Sequence, residues 1–227
     1  MDDELGITFD NTYEVWVECS CTKTRKINNL IKSSEITDSF KQMGFGNFDV
    51  EGKEQVIIDS RDCAMEYFTN YESIKKTRKN SIALLGQPGA GKTHLLTAIA
   101  NNFIQKKVIP VLYFPYVEGF NELRADLKNI EVMLHRMKEV EVLFIDDLFK
   151  PVKGIPQATE WQLSQLFSVI NYRYLNHKPI MISSELDIDR MLNLDEALAT
   201  RIAEMCRSYM VVIKGDMKVL NHRLLGF

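Results

Sequence analysis

Residues 86 to 93 read Gly-Gln-Pro-Gly-Ala-Gly-Lys-Thr, a complete glycine-rich phosphate-binding loop, or P-loop. The run before it, Ser81-Ile82-Ala83-Leu84-Leu85, has the pattern of a buried strand. The segment after it places Leu95, Leu96, Ile99, Ala100, Phe103 and Ile104 on one face at helical spacing. A strand, a glycine-rich turn and a helix in that order leave little choice of architecture, because the loop then joins the carboxyl end of a sheet strand to a helix N-terminus. Gly86, Gly89 and Gly91 let backbone N–H groups turn inward toward phosphate oxygens. The helix that begins there adds its partial positive charge. Gln87, Pro88, Ala90 and His94 complete the expected contact with ATP or ADP, Lys92 would reach the β- and γ-phosphates, and the Thr93 hydroxyl would ligate Mg²⁺.

A second motif supports the first. Glu141-Val142-Leu143-Phe144-Ile145-Asp146-Asp147 is an apolar run that ends in two carboxylates. In a parallel α/β sheet, ligands bind beyond the carboxyl ends of the strands. Asp146 would then face the P-loop and hold Mg²⁺, directly or through water, and Asp147 would polarise the water that attacks the γ-phosphate. Many ATPases of this broad type carry Glu at that position, so Asp147 has a shorter reach.

Composition narrows the remaining classes. The 227 residues can bury a full core, and 45% hydrophobic with 26% charged residues are globular values. A net charge of −3 gives no overall basic signature, so nucleic-acid contact would need a local patch. No apolar run approaches the roughly 18 residues of a membrane span, and the acidic start Met1-Asp2-Asp3-Glu4-Leu5 lacks the basic opening of a signal peptide. Cys19, Cys21, Cys63 and Cys206 form no disulfide framework, which fits a reducing, cytoplasmic compartment. The Cys19-Ser20-Cys21 pair supplies two of the four ligands that a closed zinc site needs, and nothing suitable lies nearby.

Along the chain, residues 1–35 read as a polar N-terminal arm with a basic stretch at Lys23-Thr24-Arg25-Lys26. Residues 36–80 read as a helical linker, and residues 81–227 as the core. Within the linker a helix, the loop at 41–48 and a helix over 59–75 are expected. In the core, strands at 81–85, 110–114, 141–145, 179–183 and 209–213 alternate with helices at roughly 92–106, 118–138, 158–176 and 195–206. Such alternation implies a parallel five-stranded sheet sandwiched by helices.

Five motifs occur in order: Gly86 to His94, Ile145-Asp146-Asp147-Leu148, Ile182-Ser183-Ser184-Glu185-Leu186, Ala199-Thr200-Arg201-Ile202 and Asn221-His222-Arg223-Leu224. Together they resemble the AAA+ ATPases of the bacterial DnaC and DnaI helicase-loader group and the related IstB transposition helpers, the prophage-encoded loaders in particular. The resemblance covers roughly residues 40–227 and implies an AAA+ core without a C-terminal helical lid. It implies that Ser183 and Ser184 supply the first sensor of the γ-phosphate, where the family often has Asn in place of Glu185. It makes Arg201 an arginine finger that enters a neighbouring subunit's site, with Met205 where some loaders have a second Arg. Arg223 would be the second sensor, and Phe45, Asn47 and Phe48 would lie over the adenine. The plainer alternatives are a strand end at Ser183-Ser184, a surface ion pair of Arg201 with Glu204 or Asp195, and a solvated Arg223. The segment at 19–26 resembles the end of the cysteine-bearing module of the DnaI branch.

The resemblance further implies self-association through an Arg201 interface, a replicative DNA helicase as partner and single-stranded DNA as ligand. Tyr113-Phe114-Pro115-Tyr116, followed by Arg124, Lys128, His135, Arg136 and Lys138, mixes aromatics with positive charge as single-strand binders do; the plainer alternative makes Tyr113 and Phe114 core residues, and the same stretch carries Glu122, Asp126, Glu131 and Glu139. The loop Lys150-Pro151-Val152-Lys153-Gly154 is a second basic candidate, and Asn171-Tyr172-Arg173-Tyr174 reads as core edge plus interface. Two other readings stay beside the loader: an IstB-type helper forming filaments on duplex DNA, which net charge −3 disfavours, and a P-loop small-molecule kinase, which would need an arginine-rich lid between Asp147 and Ser183.

Overall fold

The computed structural model describes residues 20–224. The chain runs through α1 (Ser20–Ser33), α2 (Gln55–Ile74), β1 (Ile82–Gly86), α3 (Lys92–Asn102), β2 (Val111–Pro115), α4 (Tyr116–Ala125), α5 (Ile130–Glu139) and β3 (Val142–Asp146). A small hairpin, β4 (Pro151–Val152) and β5 (Ile155–Pro156), follows. Then come α6 (Glu160–Leu175), β6 (Ile180–Ser184), α7 (Ile188–Leu192), α8 (Glu196–Met205), β7 (Met210–Ile213) and α9 (Met217–Leu220). The main sheet has the order β2-β3-β6-β1-β7, and every pair in it is parallel.

The expected parallel five-stranded sheet with helices on both faces is therefore present. Its strands alternate strictly. Ile82 and Leu84 of β1 join one core with Val111, Val142 and Phe144. Ala83 and Leu85 join the other with Leu112, Leu143 and Ile182. The first core is roofed by α2 and α3, the second by α4, α5, α6 and α8. This placement leaves the carboxyl ends of β1, β3 and β6 side by side.

Three elements differ from the sequence reading. The helix expected over 118–138 is two helices, because Asp126 leaves helical geometry (φ −129°, ψ 82°) and its carboxylate accepts from the Lys128 N–H and the Asn129 amide. The first helix expected between 36 and 40 is replaced by two short 3₁₀ turns, Phe40–Gln42 and Phe45–Asn47, where Asn47 Oδ1 accepts from the Gly44 N–H at 2.8 Å. The loop at 150–154 folds into the β4–β5 hairpin.

The segments before the core are packed into it. Tyr67 and Tyr71 of α2 are fully buried against Phe103, and the Tyr67 hydroxyl donates to the Asn80 carbonyl. On α1, Ile27, Leu30 and Ile31 rest on the same core. Just after α1 the Ser34 carbonyl accepts the Tyr113 N–H at 2.7 Å, so this segment covers the outer edge of β2. Cys19 and the rest of residues 1–19 lie outside the described residues.

Arg173, inside the cluster that read as core edge plus interface, is completely buried. Its guanidinium donates to the carbonyls of Met137, Lys138, Val140, Glu141 and Pro179 at 2.5–3.2 Å. It thereby ties the end of α5 and the entries to β3 and β6 to α6. Replacing it by Leu strands several buried carbonyls at once. Arg173→Leu should lower the unfolding free energy by about 3 kcal/mol or more, read as a lower denaturation midpoint in urea with an unchanged slope.

Candidate functional site

A cleft of about 330 Å³ opens at the carboxyl ends of β1 and β3, and its walls include Pro88, Gly89, Gly91, Lys92 and Thr93 from the P-loop and Asp146 and Asp147 from β3. The two sequence motifs therefore meet as expected. The loop is close-packed from behind. Gly91 (φ 81°) lies against the Phe48 ring, and Gly89 (φ 76°) lies against the Asn221 side chain, so a Cβ at either would collide with them. Glycine is required there for space as well as for the left-handed backbone.

Lys92 opens α3 and is buried, and its Nζ donates to the carbonyls of Gly86 (2.8 Å) and Gln87 (2.7 Å). An ammonium has three donors, so one remains for a phosphate oxygen. Burial pushes the Lys92 pKa down to about 8, against the pull of the nearby Asp147 and Glu185 carboxylates.

Asp146 ends β3, and three hydroxyls converge on its carboxylate. Thr93 donates to Oδ1 at 2.9 Å, Ser183 donates to the same oxygen, and Tyr113 donates to Oδ2 at 3.2 Å. Burial raises the Asp146 pKa, and the Ser183, Thr93 and Tyr113 hydrogen bonds oppose that rise. Thr93 and Asp146 present hard oxygen donors side by side. That set fits Mg²⁺, which takes one or two protein oxygens and fills its octahedron with phosphate oxygens and water. Among the described residues, no cluster of three or more His, Cys, Asp or Glu could hold a metal by itself.

Asp147 sits in the left-handed region (φ 55°), and its N–H donates to the Ser183 hydroxyl at 2.8 Å. Its carboxylate pairs with Lys150 at 2.9 Å, and Lys150 also pairs with Glu185 at 2.5 Å. Burial of Lys150 works to lower its pKa, but the Glu185 and Asp147 carboxylates outweigh it and hold the pKa above the usual value. Lys150 was legible as part of a basic loop, but its clamp on the two carboxylates was not.

Several expected site residues are placed differently. Ser184 is not on the cleft, because its hydroxyl donates to the Leu148 carbonyl at 2.6 Å and accepts from the Leu186 N–H. Ser183, bonded to Asp146 and Asp147, and Glu185, on the cleft wall, are the strand-end residues near the site. Phe48 is buried between His94 (5.3 Å) and His222 (5.9 Å) and is not among the cleft-lining residues; Asn47 spends its amide on the Gln42 carbonyl and its carbonyl oxygen on Gly44. Phe40, Met43, His94 and His222, from the same neighbouring segments, do line the cleft. Arg223 does line the cleft, and the adjacent His222 N–H donates to the Gly89 carbonyl at 3.0 Å.

Arg201 lies away from this cleft, on α8. It donates to Asn171 Oδ1 and the Ala197 carbonyl and stacks at 4.9 Å over Phe167, instead of pairing with Glu204 or Asp195. The aromatics suggested for DNA stacking are core: Tyr113, Phe114 and Tyr116 are 7%, 2% and 1% exposed. They cannot stack on bases from where they stand.

A family model described as "IstB-like ATP binding protein" matches residues 16–225, and the chain belongs to that family. It is 59% identical over 216 residues to the phage-like element PBSX protein XkdC of Bacillus subtilis (strain 168), an alignment that covers 95% of this chain and 81% of that one. Among solved structures, it matches DnaI with a TM-score of 0.63 at 24% identity, over 79% of this chain and 95% of that one. It matches the DnaC helicase loader with a TM-score of 0.64 at 21% identity, over 78% of this chain and all (100%) of that one. The fold is thus that of the AAA+ DnaC/DnaI group, within an ATP-binding family. Among the described residues, no helix is long and apolar enough to cross a membrane.

The depressed Lys92 pKa gives this site a pH signature. A depressed ammonium loses its charge as pH rises through about 8, and the neutral amine no longer attracts phosphate. ATP affinity should weaken about tenfold between pH 7 and pH 9. Lys92→Arg, which stays charged, should flatten that profile, and Lys92→Ala should bind weakly at every pH. Titration of a fluorescent ATP analogue at each pH checks all three.

Proposed function

We propose that this protein is an ATP-dependent helicase loader, which uses Mg²⁺-dependent ATP hydrolysis to control its assembly on single-stranded DNA and on a replicative DNA helicase. The observation that carries the ATPase part is the convergence of Thr93, Ser183 and Tyr113 on Asp146 beside Lys92, with Asp147 one residue further along the same wall. The loader part is supported by the likeness to DnaC and DnaI and by family membership.

In this reading Lys92 and the P-loop N–H groups bind the phosphates, and Thr93 and Asp146 hold Mg²⁺, which when bound supplies positive charge against the β- and γ-phosphates. Asp147, fixed by Ser183 and Lys150, orients and deprotonates the attacking water. Arg223 approaches the phosphates from the tail, and Phe40, Met43, His94 and His222 face the base. Arg201 acts in trans, from the α8 surface of one subunit into the cleft of the next. The kinase alternative loses its main requirement, since Arg173, between Asp147 and Ser183, is locked in the core by five carbonyls. An IstB-type helper on duplex DNA remains the second reading within the same family.

Asp147→Asn should keep ATP affinity within about twofold and lose turnover by a factor of about a hundred or more, because the residue keeps its shape and loses its basicity. A full-rate Asp147→Asn enzyme would remove Asp147 from the mechanism.

Assembly can be tested in the same way. Arg201→Ala should bind ATP normally and hydrolyse it slowly. Mixing it with Lys92→Ala should restore part of the activity, because some mixed interfaces pair an intact finger with an intact pocket. Activity independent of protein concentration, with no rescue on mixing, would exclude a trans role. Capture of the replicative helicase by this protein, compared with and without ATP, tests the loader reading. Capture of duplex DNA alone favours the transposition helper.

A further inference from the structure

A second cavity, about 640 Å³ and roomier than the P-loop cleft, opens between α4, α5, the end of β2 and residues 35–37. Its floor is apolar and built from Phe114, Leu123 and Met133, and Val132, 59% exposed, stands among its lining residues. Its charged residues are mostly acidic. Glu118, Glu122 and Asp126 follow one another along α4 and its end, and all three are exposed. Among the described residues neither Glu118 nor Glu122 has an ion-pair partner. The one cation in the lining, Arg136, is already held by Glu35 at 3.0 Å and by the Ser33 carbonyl at 3.1 Å. Arg124, Lys128 and His135 of the same stretch do not line the cavity.

An apolar floor inside an acidic rim has a definite complement. A partner that inserts bulky aliphatic side chains gains by burying them, and Lys or Arg stems beside them can lie along the apolar wall with their charges at the carboxylates. A nucleic-acid strand fits badly, because its phosphates would meet the same carboxylates and no aromatic face is offered for stacking. The cavity also touches the nucleotide site through one side chain. Tyr113 lines it and donates its hydroxyl to Asp146 Oδ2 at 3.2 Å.

We propose that this cavity is the docking site for a cationic amphipathic segment of a partner protein, and that its occupancy is read at the P-loop through the Tyr113–Asp146 hydrogen bond. The docking half stands without any nucleotide; the coupling half rests on the functional reading above.

The test uses the whole protein and a fluorescein-labelled 12-residue peptide of Leu and Lys at helical amphipathic spacing, with a Leu/Glu peptide of the same pattern as control. The Leu/Lys probe should bind saturably without nucleotide, and the Leu/Glu peptide should not. Glu118→Lys/Glu122→Lys changes two exposed residues that have no ion-pair partner among the described residues, and should weaken the probe about tenfold or more. Glu66→Lys/Glu72→Lys, the same charge change on α2, should leave the affinity within about twofold. Equal losses in both double variants would mean general electrostatic attraction and overturn the site. So would displacement of the probe by a single-stranded oligothymidine.

For the coupling, a saturating non-hydrolysable ATP analogue with Mg²⁺ should shift the probe's Kd by about threefold or more in the unaltered protein. It should have no effect in Tyr113→Phe, whose folding is checked by its Tm. An unchanged Kd in the unaltered protein overturns the coupling. Binding of the analogue is followed separately by its own fluorescence, so a failure of the ATP-site reading shows as absent nucleotide binding and is not mistaken for a failure of the cavity.

Discussion

The carboxylate of Asp146 is the point on which the site is assembled. It sits at the end of β3, between β2 and β6 in the sheet, is buried, and takes hydroxyls from three different elements: Thr93 at the start of α3, Tyr113 in β2 and Ser183 in β6. Each of these bonds fixes the position of one neighbouring strand end or helix start relative to β3. Burial raises the pKa of the group, so the folded state holds the charged form less readily than the unfolded chain does. The sign of that linkage is unfavourable at neutral pH, where stability is lost as pH rises above the unfolded value. A fold that keeps an acid under such conditions is trading stability for a function, and the three hydroxyls limit the loss.

The residues just after Asp146 extend the same trade. Asp147 (φ 55°) and Phe149 (φ 56°) both occupy the left-handed region, which non-glycine residues adopt at a cost of about 1 kcal/mol or more each. The turn they make lets the Asp147 N–H reach Ser183 and the Leu148 N–H reach the Ser183 carbonyl. Buried Phe149 packs against Tyr116 at 5.6 Å and anchors the turn. Lys150 then arrives between Asp147 and Glu185. One strained turn therefore places a carboxylate, its countercharge and the strand-end serine in a single layer beyond the sheet.

Legibility from the sequence divides along physical lines. The strands, the P-loop and the Asp146-Asp147 pair were readable because each is a local pattern: an apolar run, a glycine spacing, acids at a strand end. The helix break at Asp126 was also local, an Asx turn within the 118–138 pattern, but helical periodicity masked it. What was not readable depends on pairs far apart in the chain. Tyr113 had two readings, base-stacking aromatic or core, and the pairing of β2 with β3 decides for the second: its ring is buried and its hydroxyl meets Asp146. Ser183 and Ser184 are indistinguishable in sequence, and strand alternation alone sends the first to Asp146 and the second to Leu148. Arg173 read as core edge plus interface, and its full burial was not legible; its five carbonyl partners come from the end of α5, the entry to β3 and the residue just before β6.

The apparent boundary near residue 80 shows the same effect on a larger scale. Composition changes there, yet the back wall of the P-loop is Phe48 from before the boundary, and its other support is Asn221 from the far end of the described chain. The His222 N–H bonds to the Gly89 carbonyl, Gln87 bonds to the Gly215 carbonyl, and His94 Nε2 lies 3.0 Å from the Gly44 carbonyl. The loop that receives phosphate is thus held from both sides by segments outside the sheet. These contacts put the pre-core helices and the tail in direct touch with the loop that holds Lys92. Two separate pieces of chain clasping one loop are the physical basis on which the proposed ATPase would couple nucleotide binding to assembly.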